Sequence, residues 1–442
     1  MSRPAHLLAA RMLLAASLYI GFTASAATNS SSPAADRIRH AEQFPGGTTH
    51  DPCLQINNAI SDLPAAGGTV DARSFEGKQT CGMGVRLKVP VRLLLGGATY
   101  SWSFKGPIFS IESVGCSIEG LGRMNSTILT PPAGATAIYA AKGLDSSAIR
   151  HINIIGPLSD VPAFAIQLDA GAFPTNNPTF MIEDVYIWGG NSGIQAIRPI
   201  NSTLKDVRVS HVMSDGFSFV GDGTTVTCIN CYANGNGRSG FHVSGIANAT
   251  FVGGETDTNK GDGLLADTAS DKQPTSGLTL TGLDVEANQG MGIHLVNSSG
   301  TSISGSVIIN NASDGIGMCG GTGFSMSGGR ISANHGFGID LTPAGCSQVD
   351  WRSASDVVIL TPWNDVANTS GFLNDPRHVA LTYVPSQTSP THMATVMLGG
   401  ASWGVGTGAP GSNCKTGSLY TDLSGGTGTT LYVCEGSVWK AK

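Results

Sequence analysis

In the middle of the chain, apolar residues alternate with polar ones in short runs, and glycine and asparagine break the runs at regular intervals. Between residues 275 and 298, Leu278, Leu280, Leu283 and Val285 alternate or nearly alternate with polar residues. Ile293 and Leu295 resume the alternation after Asn288. Successive side chains of a strand point to opposite faces, so this is strand periodicity interrupted by turns. A Gly-apolar pair closes each unit: Gly193-Ile194, Gly216-Phe217, Gly240-Phe241, Gly263-Leu264, Gly292-Ile293, Gly315-Ile316 and Gly338-Ile339. Their intervals are 23, 24, 23, 29, 23 and 23 residues. A period of this size marks a solenoid whose repeats stack on one another.

A second column keeps the same register. Asn236, Asn259, Asn288, Asn311 and Asn334 stand five residues before the apolar member of each pair. Asparagine tolerates the left-handed turn conformation, and stacked amides bond one another from coil to coil. Three short strands fit a 23-residue repeat. The stretch Leu280 to Asn288 also fits a leucine-rich signature, but Gly254, Ser306 and Gly329 occupy the second leucine position elsewhere, and a glycine-rich turn and another strand follow the asparagine. The pattern therefore predicts an all-β, right-handed parallel β-helix, the hand following from the rule for parallel crossovers. Phe217, Phe241, Leu264, Ile293, Ile316 and Ile339 are expected to form one inner stack, and Phe219, Val243, Leu295, Met318 and Leu341 a second.

Open ends of such a helix invite aggregation, so caps are expected. Asp51-Pro52-Cys53-Leu54-Gln55-Ile56-Asn57-Asn58-Ala59-Ile60 reads as a capping helix with Asp51 at N-cap and Pro52 at N1. Leu63-Pro64-x-x-Gly67-Gly68-Thr69-Val70 follows, then Val89-Pro90-Val91-Arg92-Leu93-Leu94-Leu95-Gly96-Gly97-Ala98-Thr99-Tyr100 and Ser117-Ile118-Glu119-Gly120-Leu121-Gly122. Over residues 50–350 this series resembles the secreted pectate-lyase-like β-helix superfamily. The resemblance implies the right-handed three-sheet fold and, commonly, action on a polysaccharide. It carries over no catalytic residue. Asp257-Thr258-Asn259 and Gly261-Asp262-Gly263 are only fragments of the polygalacturonase pattern, and Asn374-Asp375-Pro376-Arg377-His378 interrupts the Asp-Pro-His of mannuronan epimerases.

Composition narrows the setting. Charged residues are 13% of the chain, glycines number 60, and the net charge is -6, which leaves no nucleic-acid footprint. Arg3 and Arg11, the apolar run Met12–Ile20 and Ala24-Ser25-Ala26 read as a cleaved signal, so secretion to an extracellular or periplasmic space is expected, with no membrane association afterwards. Exported chains carry disulfides. Of the 9 cysteines, Cys414 with Cys434 and Cys53 with Cys81 are the expected pairs, Cys319 with Cys346 a further one, and the odd number leaves one over. Cys228 and Cys231 fall at inward core positions. The expected organisation is a signal at 1–26, a linker at 27–49, the capped β-helix at 50–398, a glycine-rich linker at 399–412 and a hairpin module at 413–442.

The register also predicts neighbours on the outer surface. One outward column holds Arg208, Tyr232, Glu255, Asp284, Val307 and Arg330; another holds Ser210, Asn234, Asp257, Glu286, Ile309 and Ser332. Adjacent coils lie about 4.8 Å apart, so Glu255, Asp257, Asp284 and Glu286 should share one acidic patch. Crowded carboxyls raise each other's pKa, which suits a general acid, and carboxyls about 5 Å apart suit a retaining glycosidase. The same oxygens suit calcium. Arg208, Tyr232 and Arg330 would contact substrate, and His242 and His294, in a third outward column, would touch sugar. The expectation is a polysaccharide lyase or glycoside hydrolase with Asp257, Glu286, Asp284 and Glu255 as catalytic residues or calcium ligands. The alternative is a non-catalytic surface or adhesion protein binding glycans or partners.

Overall fold

The computed structural model describes residues 37–341, except positions 49, 123–126, 142–144, 170, 172–178 and 322. It describes backbone strands between 358 and 406, and residues 407–442 except 412–413, 423 and 425–429. The expected signal segment and Cys346 lie outside the described residues.

Each coil contributes three strands, one to each of three parallel faces. In a representative coil, Glu255–Asp257 lies on one face, Leu264–Asp267 on the next and Thr279–Thr281 on the last. We call these the carboxylate, histidine and closing faces. Every strand pairs in parallel with its counterparts one repeat away: Glu255 lies against Asp284, Leu264 against Ile293 and Thr279 against Ser302. The long strands Phe217–Ile229 and Phe241–Val252 run from the histidine face into the closing face without a break, with a register shift between Val220 and Gly223.

The two predicted inner stacks are present. Phe217 and Phe241 stack at 4.9 Å between ring centroids, and Phe241 meets Phe251 edge-on at 5.0 Å. Ile293, Leu295, Ile316 and Ile339 are fully buried. The asparagines form the predicted ladder. Asn236 Nδ2 donates to Asn259 Oδ1 at 2.8 Å, Asn259 to Asn288 at 2.8 Å, Asn288 to Asn311 at 2.9 Å and Asn311 to Asn334 at 2.9 Å. The same oxygens accept the backbone N–H of the preceding asparagine. All five side chains are buried, and backbone carbonyls take further bonds from the Nδ2 groups of Asn259, Asn288, Asn311 and Asn334.

The capping helix is Pro52–Ser61. Asp51 accepts from the N–H groups of Cys53 and Leu54, and its other oxygen accepts from Gly82 at 2.8 Å. Cys53–Cys81 ties the helix to the strand Gly77–Cys81, and Cys414–Cys434 closes the C-terminal segment. Cys228 and Cys231 are buried as expected and are also bonded to each other, because the corner at Asn230 (φ 51°) brings the two inward side chains together. Cys319 is disulfide-bonded too. Cys116 is free and buried.

Three expectations need correction. The expected N-terminal linker contains a strand, Ile38–His40, which pairs in parallel with Gly68–Ala72 and extends the closing face past the cap. The glycine-rich stretch expected as a second linker contains the strand Ala401–Gly406, in which Ala401, Trp403 and Val405 alternate with small residues. It pairs with Thr395–Leu398 on one side and Leu419–Asp422 on the other, so the C-terminal unit is a six-stranded sheet beginning at Leu381–Thr382. Ser210 and Ser332, expected outward, are buried. Each precedes a left-handed corner residue, His211 or Ala333, and its short side chain does not reach past the corner backbone.

Candidate functional site

The carboxylate face bears out the predicted neighbours. Arg208 pairs with Tyr232, Tyr232 with Glu255, Glu255 with Asp284, Asp284 with Val307 and Val307 with Arg330; beside them Asp257 pairs with Glu286. The Arg208 guanidinium lies 4.8 Å from the Tyr232 ring centroid, a cation–π contact. Partial burial lifts the Glu255, Asp284 and Glu286 carboxyls above the usual range, and neighbouring carboxylates lift them further. The four do not gather into a calcium site. Among the described residues only Asp51, Cys53 and Cys81 bring three potential ligand atoms within 4.8 Å of one another, and those two thiols are tied in a disulfide.

The histidine face carries a feature that the column reading missed. His242 sits between two carboxylates: Nε2 is 3.2 Å from Asp267 Oδ2 and Nδ1 is 3.7 Å from Asp215 Oδ2. Burial opposes the imidazolium, but the bond to Asp267 and the negative charges of Asp215 and Asp267 outweigh it and push the His242 pKa up to about 9. Those contacts with His242, helped by Ser244, hold Asp267 below the usual carboxylate range despite its own burial. Asp215 accepts the Ser239 N–H at 3.0 Å through Oδ1 and meets Arg238 Nη1 at 3.3 Å through Oδ2. One coil beyond Leu265, His294 pairs through Nδ1 with Asp262 Oδ2 at 3.0 Å. The two histidines are thus half-buried and engaged by aspartates. A signal was available: Asp215, Asp262 and Asp314 each stand directly before the repeat glycine, a third regular column.

Against this cluster opens a groove of about 580 Å³. Asp215, Ser218, Arg238 and His242 line it together with Asn191 and Gln195. Its rim includes Asp160, Pro162, Phe164 and Met213. The rim segment is pinned by Asn191 Nδ2, which donates to Ser159 O at 3.0 Å. Amides, hydroxyls and charged groups interleave with flat apolar patches, a lining suited to a hydroxyl-rich ligand. The predicted site residues thus fall in two places. Glu255, Asp257, Asp284, Glu286, Arg208 and Tyr232 share the carboxylate face, with Arg330 exposed two coils beyond Asp284, while His242 alone of the predicted residues lines the groove. No helix among the described residues is long and apolar enough to cross a membrane.

Residues 272–350 match the family model described as right handed beta helix region. Together with the coil geometry, this makes the chain a right-handed parallel β-helix. No curated protein matches it. Among solved structures it is similar to the A-module of an Azotobacter vinelandii mannuronan C-5 epimerase, at 14% identity over 76% of this chain and 97% of that one, with TM-score 0.49. It is similar to a variant of a periplasmic alginate epimerase at 13% identity over 76% and 87%, with TM-score 0.49. The enzymatically active domain of a bacteriophage CBA120 tailspike is similar at 14% identity over 75% and 46%, with TM-score 0.43. Likeness at this level assigns no residue role here.

Proposed function

We propose that this protein is an exported carbohydrate-active enzyme that binds a polysaccharide in the groove of the histidine face and cleaves it by acid–base chemistry at Asp215 and His242. The observation that carries this reading is one half-buried imidazole, flanked by two carboxylates, in the lining of an open groove. The His242 Nδ1–H faces Asp215 at 3.7 Å, beyond hydrogen-bond range, and so stays available to a ligand atom. Asp267 on the far nitrogen orients the ring, as a carboxylate does for a catalytic histidine. In this reading His242 supplies the proton or stabilises developing negative charge, and the Asp215 carboxylate faces the reacting sugar. The disulfides Cys53–Cys81, Cys228–Cys231 and Cys414–Cys434 support an oxidising, extracellular or periplasmic location.

The test is product formation by residues 27–442 from neutral glycans, pectins and alginates, following reducing ends and unsaturated uronates in parallel. New reducing ends alone identify a hydrolase; unsaturated ends identify a lyase. Asp215→Asn and His242→Gln should each lower the rate by about two to four orders of magnitude. Binding without any product would instead establish the non-catalytic, adhesive reading.

A second reading keeps the chemistry on the carboxylate face, where the raised Glu255, Asp284 and Glu286 carboxyls suit a general acid beside Asp257. It requires that Glu286→Gln or Asp257→Asn abolish turnover while Asp215→Asn leaves it intact.

A further inference from the structure

The outward column that lines the groove at Ser218 and Gln195 continues past Gln195. The outward column of the histidine face continues toward the N-terminal cap, with Tyr139 paired to Gln167, Gln167 to Gln195, Gln195 to Ser218 and Ser218 to His242 on successive coils. Gln167 Nε2 donates to Gln195 Oε1 at 2.9 Å. That bond orients both amides and leaves Gln167 Oε1 and the Gln195 N–H groups for a ligand. Beyond Tyr139 the column passes to Ser110, a small side chain. On the other side of His242 it is broken at once by Leu265. Five coils at the ordinary strand spacing give a track roughly 20 Å long, with most of it on the Tyr139 side of His242.

Its chemistry is uncharged. Tyr139, Gln167, Gln195 and Ser218 offer a ring face, two amides and a hydroxyl. The acid near this end is Asp169, whose Oδ1 accepts the Gly171 N–H and whose charge disfavours an anionic ligand next to Tyr139. A regular file of neutral donors and acceptors at one coil per step meets a chain of similar units the same way at each step. We propose that Gln195, Gln167 and Tyr139 are successive subsites for uncharged, hydroxyl-rich sugar units of a polymer lying along the helix axis, with its longer arm toward the cap. This rests on the groove being the glycan site.

The test is calorimetric binding of oligosaccharides of two to eight units, using xylo-, manno- and cello-oligosaccharides and oligogalacturonates as probes. At least one neutral series should tighten about tenfold or more between three and six units. Tyr139→Ala and Gln167→Ala should each remove at least fivefold of that gain, leave three-unit binding unchanged and leave the melting temperature within a degree or two of the parent. Tyr139→Phe keeps the ring face and should retain most of the gain. Neutral oligosaccharides that bind with no dependence on length beyond three units, or with a dependence that both alanine variants preserve, overturn the subsites while leaving the groove reading in place. Oligogalacturonates that bind tighter than every neutral series overturn the uncharged class. Failure of all probes to bind, with loss of the parent activity test as well, overturns both readings.

Discussion

His242 gives the residue scale its sharpest consequence, because one ring joins the coils on either side of its own through Asp215 and Asp267. Its pKa is raised from 6.5 to about 9 in the folded chain. A raised pKa contributes stability that is fully present below the unfolded value and is lost as pH rises through the folded one. Urea midpoints of the parent should therefore fall relative to those of His242→Gln between about pH 6.5 and pH 9, by on the order of 3 kcal/mol at most. A parallel pair of curves across that window would show that the imidazolium is not held by the two carboxylates. The asparagine ladder makes the complementary case with neutral groups. Asn288→Ala removes an acceptor of both the Asn259 amide and backbone N–H, and a donor to Asn311. Each group left unsatisfied costs about 1–3 kcal/mol, so Asn288→Ala should destabilise more than Asn297→Ala, which lies at a half-buried corner and makes no ladder contact; the two urea midpoints decide it.

At the scale of elements, the cap and the coils differ in how they are held. The helix Pro52–Ser61 buries Cys53, Ile56, Ala59 and Ile60 against the first coil and is fastened there by Cys53–Cys81. Cys53→Ser should cost about 2–5 kcal/mol and loosen the helix that buries Ile56 and Ile60 against the apolar end of the first coil. Increased aggregation at equal protein concentration, measured by light scattering, is the expected readout. These elements were legible in the sequence because their signals are local or periodic. Asp51 and Pro52 mark a helix start, and a fixed interval lays Glu255 over Asp284 without any knowledge of packing. What escaped reading depends on corners. The bond between Cys228 and Cys231 requires the left-handed turn at Asn230, and the burial of Ser210 and Ser332 requires knowing how far a short side chain reaches past such a turn. The groove escaped for a related reason. Its rim comes from the irregular 156–163 segment, and its charged pair joins Asp215, at a turn, to His242, on a strand of the next coil. An alternation pattern ranks residues along a face; it does not show where a neighbouring loop turns that face into a concavity.

Across the whole molecule, a stack of coils transmits little from one end to the other, since each repeat contacts chiefly its neighbours. The groove draws its residues from segments between Asp160 and His242, far along the chain from the C-terminal sheet. In that sheet Tyr420 packs on Tyr432 at 6.2 Å and on Trp439 at 6.0 Å, so the aromatic residues make its small core instead of an exposed binding face. One form of the adhesive alternative puts glycan binding in this module and makes the β-helix a spacer, so its disulfide is a useful lever. Cys434→Ser opens the bond to Cys414 across a separation of 20 residues and should destabilise the sheet by about 3 kcal/mol. If the groove is the glycan site, the variant should show an earlier local transition on heating while its oligosaccharide affinity and turnover stay at parental values. If binding falls with the sheet while Asp215→Asn leaves it untouched, glycan recognition belongs to the C-terminal module and the β-helix serves as its stalk.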